Sequence, residues 1–295
     1  MRPALLITLA IACAGFDTST GRAIVLRRPV EALVSIPGGT FQMGADESAQ
    51  KTAVKLCREE LGPTQERACR ADMFVSEGPA KTVYLSAFQI DRVEVTVHAW
   101  RACVQAGVCS PQPLYQADER FLLPALPMTT VSWPEASAYC AWRGARLPSE
   151  AEWERAARGR DGRTWPWGNI PRPGAANHGR IFVLGELSPN PLPVLQPDPS
   201  DGYAFLAPVG SFPSGASADG VLDLSGNALE WTADVYHEDP PQRLSTVNPH
   251  GPASGSLRVV RGGSWRQPRM FQRTTSRDGL APESRSPEIG FRCAR

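Results

Sequence analysis

Short alternations of apolar and polar residues in the first hundred positions predict β-strands. Residues 30–44, VEALVSIPGGTFQMG, predict two strands around the Pro37-Gly38-Gly39 turn, and residues 82–96, TVYLSAFQIDRVEVT, predict two more. The segment between them, residues 45–79, lacks this alternation and is predicted to be a polar insertion.

Helices are indicated by their start signals. Thr96 can cap a helix that runs to about Gln105. The S-x-x-E spacing, in which the hydroxyl accepts from a backbone N–H and the glutamate reaches back to the cap, begins at Ser132 and again at Ser149. These signals predict two short helices, over 133–142 and 150–158. Beyond residue 160 only turns and short strands are indicated.

Composition limits the classes of function. The chain has 295 residues, 42% of them hydrophobic, which is enough to bury a core in one large domain or two small ones. Its 31 basic and 30 acidic residues nearly cancel, so the charge disfavours nucleic-acid binding. The 26 glycines and 28 prolines exceed average usage and predict a loop-rich protein with little regular secondary structure.

The N-terminus, MRPALLITLAIACAG, predicts a signal peptide within residues 1–23. One arginine precedes a short apolar run and then small residues, and the run is too short to span a bilayer. Cys13 could be the lipid-modified first residue of a lipoprotein, or the peptide could simply be cleaved near Ala14 or Ala23. We therefore expect an exported protein that is secreted, periplasmic or lipid-anchored, and that has no transmembrane span.

Six cysteines remain after this segment, an even number that suits disulfides in an oxidising compartment. Six cysteines allow 15 pairings. Cys103 and Cys109 share a short loop, Cys57 and Cys69 bracket a polar loop, and the remaining pair is Cys140 with Cys293. No CxxC motif indicates metal-bound thiols instead.

Several motifs then follow one another in a characteristic order. They are SIPGGTFQMG, VEVT, RLPSEAEWE, WPWGN, SGNALEW, VVRGGSW and GFRCAR, and they extend over residues 30–295. In this order they resemble the formylglycine-generating enzyme family, also called sulfatase-modifying factors. The resemblance implies a single α+β domain related to the C-type lectin fold, and a disulfide between Cys140 and Cys293.

The family's enzyme oxidises a cysteine of sulfatases to formylglycine, using oxygen and a copper(I) ion held by two cysteines. The resemblance places those cysteines at Gln267 and Gln272. Copper(I) selects soft thiolate ligands, which an amide does not replace. We therefore expect no bound copper and no copper-dependent oxidation, while any other catalytic activity stays open. The four histidines show no metal-binding spacing.

The resemblance also implies two structural calcium sites, both built from the oxygen ligands that this ion prefers. The first falls on Asn177, His178, Asp201 and Tyr203, and the second on Ser225, Gly226, Ala228 and Glu230. The alternatives are that Asp201 caps a turn through SDGY and that Glu230 pairs with an arginine. Leu229 stands where the family usually has tryptophan, which alters packing more than ligation.

Arginines concentrate in the C-terminal quarter of the sequence. With Trp265, four of them could line a groove for a peptide and bind a carboxylate or sulfate; they are Arg261, Arg266, Arg269 and Arg273. They could equally pair with the chain's own acids. The glutamates of the helix over 150–158 do not converge as an acid/base pair and are expected to be structural.

Three functions remain consistent with the sequence. The favoured one is an exported, monomeric, non-catalytic module that binds a peptide, protein or glycan. The second is a non-haem metal-dependent oxidase of the same family with altered ligands. The third is a structural protein of the cell envelope. Fold alone does not decide among them.

Overall fold

The structure is a computed structural model, and it describes residues 15–16, 23–24, 32–63, 66–184, 192–238 and 245–295. The predicted signal peptide core, with Cys13 and the Ala14 cleavage position, lies outside the described residues. Two short strands pair antiparallel just after it, β1 (Gly15–Phe16) and β2 (Ala23–Ile24). Within the described part of the chain, no helix is both long and apolar enough to cross a membrane.

The four strands predicted in the first hundred residues are present and pair as two nested hairpins. β3 (Leu33–Ile36) pairs antiparallel with β6 (Phe88–Asp91), and β4 (Gly39–Met43) pairs antiparallel with β5 (Lys81–Leu85). Alternate side chains point inward, as the pattern predicts, and they form one cluster of the core with Trp153.

A second sheet has four strands in the order β11 (Arg277–Leu280), β10 (Arg258–Arg261), β9 (Leu229–Val235) and β12 (Ile289–Phe291). β9 and β12 run parallel, whereas β10 is antiparallel to both of its neighbours. Trp231 of β9 and Phe291 of β12 are fully buried in the largest core cluster, together with Trp100 and Tyr139.

The three predicted helices are confirmed as α2 (Val97–Gln105), α4 (Trp133–Trp142) and α5 (Glu150–Arg158), and a shorter α3 (Gln112–Gln116) follows α2. Their caps form as the spacing indicates. The Ser149 hydroxyl accepts from the Glu152 amide at 3.2 Å, and the Glu152 carboxylate accepts from the Ser149 amide at 2.8 Å. Past α5, β7 (Gly179–Leu184) and β8 (Leu192–Pro197) form a hairpin.

The insertion over residues 45–79 contains a helix that the sequence analysis did not predict. Helix α1 (Glu47–Leu61) is the longest in the described chain, and Asp46 caps it by accepting from the Ala49 amide at 2.8 Å. It buries only Ala53, Leu56 and Cys57, so its apolar stripe is too narrow to be recognised by periodicity. Two 3₁₀ turns complete the insertion, Glu66–Ala68 and Ala71–Glu77.

The insertion packs against the segment that follows Ser264. The Met270 amide donates to Glu60 at 3.4 Å, and Arg269 pairs with the same carboxylate at 3.5 Å. The buried Arg273 binds Glu77 through two hydrogen bonds of 2.5 and 2.6 Å. The insertion therefore holds this segment from two sides.

Three disulfides are present, and they are the pairs that the sequence analysis expected. They join Cys57 to Cys69, Cys103 to Cys109, and Cys140 to Cys293. The last one links helix α4 to the end of the chain, across 153 residues.

The long-range disulfide should contribute most to stability. The chain-entropy model gives about 5 kcal/mol for a loop of about 150 residues and about 3 kcal/mol for one of about a dozen. We expect Cys140→Ser/Cys293→Ser to lower the free energy of unfolding by about 2 kcal/mol more than Cys57→Ser/Cys69→Ser. Urea unfolding of both double variants measures this difference. Equal losses would show that closure of the long loop is not what stabilises the fold.

The Glu60 contact should make stability depend on pH. Burial raises the pKa of the Glu60 carboxyl from 4.5 to about 7, against the opposing effects of the Met270 amide and Arg269. As the pH rises, the unfolded chain therefore loses this proton at a lower pH than the folded protein does. The free energy of unfolding falls between about pH 4.5 and about pH 7. We expect Glu60→Gln to stabilise the protein by about 2 kcal/mol at pH 8 and to have little effect at pH 4.

The matched control for this comparison is Glu59→Gln, since Glu59 is the exposed neighbour on the same helix. Chemical denaturation at both pH values gives the two unfolding free energies. A Glu60→Gln effect that is absent at pH 8, or the same at both pH values, would contradict the assignment.

Candidate functional site

A tight glycine turn brings together positions 267 and 272, where the family resemblance implies copper-binding cysteines. β10 runs into Gly262 and Gly263, whose φ angles are +95° and +75°. A Cβ on Gly263 would lie 2.7 Å from the Gln272 side chain and 3.0 Å from the Phe271 carbonyl oxygen, so only glycine fits there. This close approach places Gln267 and Gln272 on adjoining segments of one turn.

Gln272 uses its side chain to hold that turn. It is 1% exposed, and its Nε2 lies 3.1 Å from each of three backbone carbonyl oxygens, those of Asn177, Ser264 and Gln267. Gln267 is half-buried, and its Oε1 accepts from the Ser264 amide at 3.1 Å. The amides thus satisfy backbone groups that would otherwise be buried without partners.

The first set of family-implied calcium residues comes together in space. The Asp201 carboxylate accepts from the backbone amides of His178 at 2.8 Å and Tyr203 at 2.9 Å. Asn177 is 1% exposed, and its Oδ1 is buried without a hydrogen-bond partner. Burial raises the pKa of Asp201, although the two amides act in the opposite direction. Asp201 therefore caps the SDGY turn, as the alternative predicted, and the unpartnered Asn177 Oδ1 is the kind of oxygen that a hard cation such as calcium takes as a ligand.

In the second set, the Glu230 carboxylate is already paired with an arginine. Glu230 is fully buried, and its two oxygens accept from Arg292 at 2.7 and 2.6 Å and from the Trp153 indole at 2.9 Å. The Ser225 hydroxyl donates to the Gln272 carbonyl at 2.9 Å. A cation placed at Glu230 would be repelled by the Arg292 guanidinium, so the alternative of arginine pairing describes this residue correctly. Gly226 and Ala228 serve the turn that leads into β9.

Two further acids belong to the same buried cluster, and the sequence analysis did not identify them. Glu94 and Asp223 are both buried; the Asn227 side-chain amide donates to Glu94 at 3.0 Å, and the other Glu94 oxygen is buried without a hydrogen-bond partner. Burial, with added repulsion from Asp223, raises the pKa of Glu94 well above its usual range, and burial raises the pKa of Asp223 and of Glu230 as well. The VEVT alternation predicts the valines inward and Glu94 outward, so no local signal marked this carboxylate as buried.

Three of the five residues expected to line a groove are buried. Arg261 and Arg273 are at most 1% exposed. Arg261 binds Glu154 and Arg273 binds Glu77, because a buried guanidinium requires a countercharge. Trp265 is also buried, at 6% exposure. Only Arg266 and Arg269 reach solvent, and each already has a carboxylate partner, Glu288 and Glu60 respectively.

The glutamates of α5 are structural, as expected. Glu150 pairs with Arg277 at 2.7 Å, and Glu154 pairs with Arg261 at 2.5 Å. Although burial alone would raise the pKa of Glu150, Arg277 and Arg261 hold it below its usual range. These carboxylates are ion-pair partners of arginines and present no acid/base pair.

A cavity of about 350 Å³ lies beside Gln267. Its apolar side chains come from four parts of the fold: the insertion, the β7–β8 hairpin, the second sheet and the 3₁₀ turn at Arg269–Phe271. They include Met73, Leu195, Leu229, Tyr236 and Phe271. Its polar lining includes Gln267, Arg277 and Asp278. This volume is within the range of small-molecule sites in proteins, although polar groups form a large share of the lining.

Comparison with known proteins agrees with the motifs. Residues 23–295 match the family model described as a sulfatase-modifying factor enzyme 1-like domain. The chain is 33% identical to the mouse inactive C-alpha-formylglycine-generating enzyme 2, over 89% of this chain and 85% of the relative. It is 39% identical to the bovine formylglycine-generating enzyme, over 90% of this chain and 75% of the relative.

Among solved structures, PvdO from Pseudomonas aeruginosa is similar, with 26% identity, a TM-score of 0.65, and coverage of 98% of this chain and 99% of PvdO. The chain therefore belongs to the sulfatase-modifying factor enzyme 1-like family, which includes the formylglycine-generating enzymes.

Proposed function

We propose that this chain is an exported ligand-binding member of the family that lacks copper-dependent cysteine oxidation. The proposal rests mainly on the hydrogen bonds of the Gln272 side chain. Its buried amide is engaged with three backbone carbonyls, where the resemblance implies a copper-binding thiolate. The position is used to build the turn and leaves no soft ligand for copper(I).

Similarity to relatives does not decide whether this chain catalyses copper-dependent cysteine oxidation. One relative is named as inactive and another as a formylglycine-generating enzyme, at 33% and 39% identity. The local chemistry at residues 267 and 272 therefore carries more weight than the overall identity. Neither glutamine can be oxidised or deprotonated to serve as a thiolate does.

The cavity beside Gln267 is the proposed binding site. Binding would bury apolar surface that is now accessible, most clearly at Met73, which is 45% exposed. The fold presents this cavity on a rigid frame of disulfides and buried ion pairs, which lowers the entropy lost on binding. A group of a peptide, protein or glycan would enter it.

Export is supported by the cysteines. Three disulfides indicate folding in an oxidising compartment, which fits secretion, the periplasm or lipid anchoring. The N-terminal apolar run is the second argument for export.

We also propose one structural calcium ion. Asn177 and Asp201 would supply side-chain oxygens, and His178 and Tyr203 would supply backbone carbonyls. When bound, the ion would fix the loop that leads into β7, whose Asn177 carbonyl also accepts from Gln272. Calcium would therefore act on the site indirectly, by positioning the turn.

The absence of copper chemistry can be tested directly. Purified protein supplied with copper(I) and oxygen should bind no stoichiometric copper and should leave the cysteine of a sulfatase-motif peptide unchanged. Mass spectrometry of the peptide provides the measurement, with an active formylglycine-generating enzyme as the positive control. Formylglycine above the level of a no-protein sample would refute the proposal.

Calcium binding should appear in thermal unfolding. A ligand that binds only the folded state stabilises it by about 3 kcal/mol at one hundred times its Kd, so chelation should lower the Tm and added calcium should restore it. Asp201→Asn should abolish this response, whereas Asp198→Asn, a nearby acid outside the set, should preserve it. A wild-type Tm that chelation leaves unchanged would remove the calcium site.

A further inference from the structure

We propose that the ligand group entering the cavity beside Gln267 is a cation, an amine or guanidinium joined to an apolar body. The inference rests on the proposed function, because it names the chemistry of that binding site. It reverses the expectation from the sequence, in which a cluster of arginines suggested a bound carboxylate or sulfate.

The arginines that border the cavity are already paired with buried carboxylates of the protein. Arg277 donates to both oxygens of Glu150, at 2.7 and 3.0 Å, and to the carbonyls of Ser76 and His237, at 3.2 and 2.9 Å. Its guanidinium also stacks on the Tyr236 ring, 4.7 Å from the centroid. An anion bound to Arg277 would lie beside the Glu150 carboxylate, which already neutralises this guanidinium.

Arg261 is also paired with a carboxylate, although its Nε is buried without a hydrogen-bond partner. Its guanidinium is fully buried and binds Glu154 at 2.5 Å, together with the carbonyl oxygens of Thr274, Thr275 and Ser276. The positive charges along this wall are therefore neutralised within the protein.

Asp278 is the charged lining residue that has no countercharge. It is exposed, its Oδ1 accepts only from the adjacent Gly279 amide at 2.7 Å, and no basic group of the described chain pairs with it. Its backbone is paired with Val260 in the sheet. The cavity thus presents a carboxylate beside apolar side chains.

The remaining lining defines the rest of the ligand. Met73, Leu229 and Phe271 offer apolar surface for an aliphatic or aromatic body. The Gln267 Oε1 is already bonded to Ser264, which leaves the Nε2 of that amide to donate to a ligand oxygen. A cationic group at Asp278 and an apolar body against Leu229 would use both features together.

Three probes with the same body and different charge can test this proposal: 4-phenylbutylamine, 4-phenylbutanol and 4-phenylbutyrate. Ligand-observed NMR titration of the full chain gives an apparent Kd for each. We expect the amine to bind about tenfold more tightly than the acid, with the alcohol between them. The preference should shrink in high salt, because the carboxylate is exposed.

Substitutions in the cavity distinguish the contribution of the Asp278 charge to probe binding from that of the cavity's shape. Asp278→Asn should weaken binding of the amine about fivefold and leave the alcohol unchanged, and Glu119→Gln, at an exposed acid elsewhere, should change neither. Leu229→Trp should fill the cavity and weaken all three probes. Met73→Ala, at an exposed position, tests the same wall without the risk of misfolding.

The outcomes distinguish this inference from the proposed function. If the probes bind in a way that Met73→Ala weakens, but the acid equals or exceeds the amine, the cation inference is overturned and the binding site stands. Unchanged amine binding in Asp278→Asn overturns the inference as well. If no probe binds at millimolar concentration, both the inference and the proposed binding cavity fail.

Discussion

Buried arginine–carboxylate pairs hold this loop-rich fold together. Arg292 binds Glu230, Arg261 binds Glu154, Arg273 binds Glu77 and Arg143 binds Asp91, and all eight side chains are at most 4% exposed. Each pair connects segments distant in sequence, such as Glu77 in the insertion and Arg273 after the glycine turn. Removing one partner of such a pair typically costs about 3–5 kcal/mol, because a charge is left buried alone. The segments that build the site are therefore held in one arrangement.

The same pairs decide what chemistry the site can offer. Once Arg261 and Arg277 are neutralised by the glutamates of α5, the cavity beside Gln267 has apolar walls and one unpaired carboxylate, Asp278. Gln272 completes this arrangement, because its neutral amide joins two carbonyls of the turn to the carbonyl of Asn177. A polar network whose members are satisfied is rigid, which suits recognition of a ligand on a preformed surface.

Short sequence patterns predicted the helices and strands whose start signals and inward faces are set by neighbouring residues. The capping boxes at Ser132 and Ser149 and the alternation over residues 30–44 and 82–96 were sufficient to find helices and strands, because these signals act within a few residues. Helix α1 was missed because it buries so little apolar surface. The arginines were misjudged for another reason. Whether a guanidinium faces a groove or a carboxylate depends on partners more than a hundred residues away, as for Arg261 and Glu154, and no local pattern reports that.

The central claim is that this family member uses the turn at Gln267 and Gln272 to frame a binding cavity and holds no redox metal there. Crystals of the full chain soaked with a fragment library, and measured at the copper absorption edge after exposure to copper(I), would test it most directly. The account predicts fragments between Met73, Leu229 and Asp278, with the Gln272 amide still buried and no anomalous peak near it. A copper peak between residues 267 and 272, or fragments that bind only elsewhere, would contradict it.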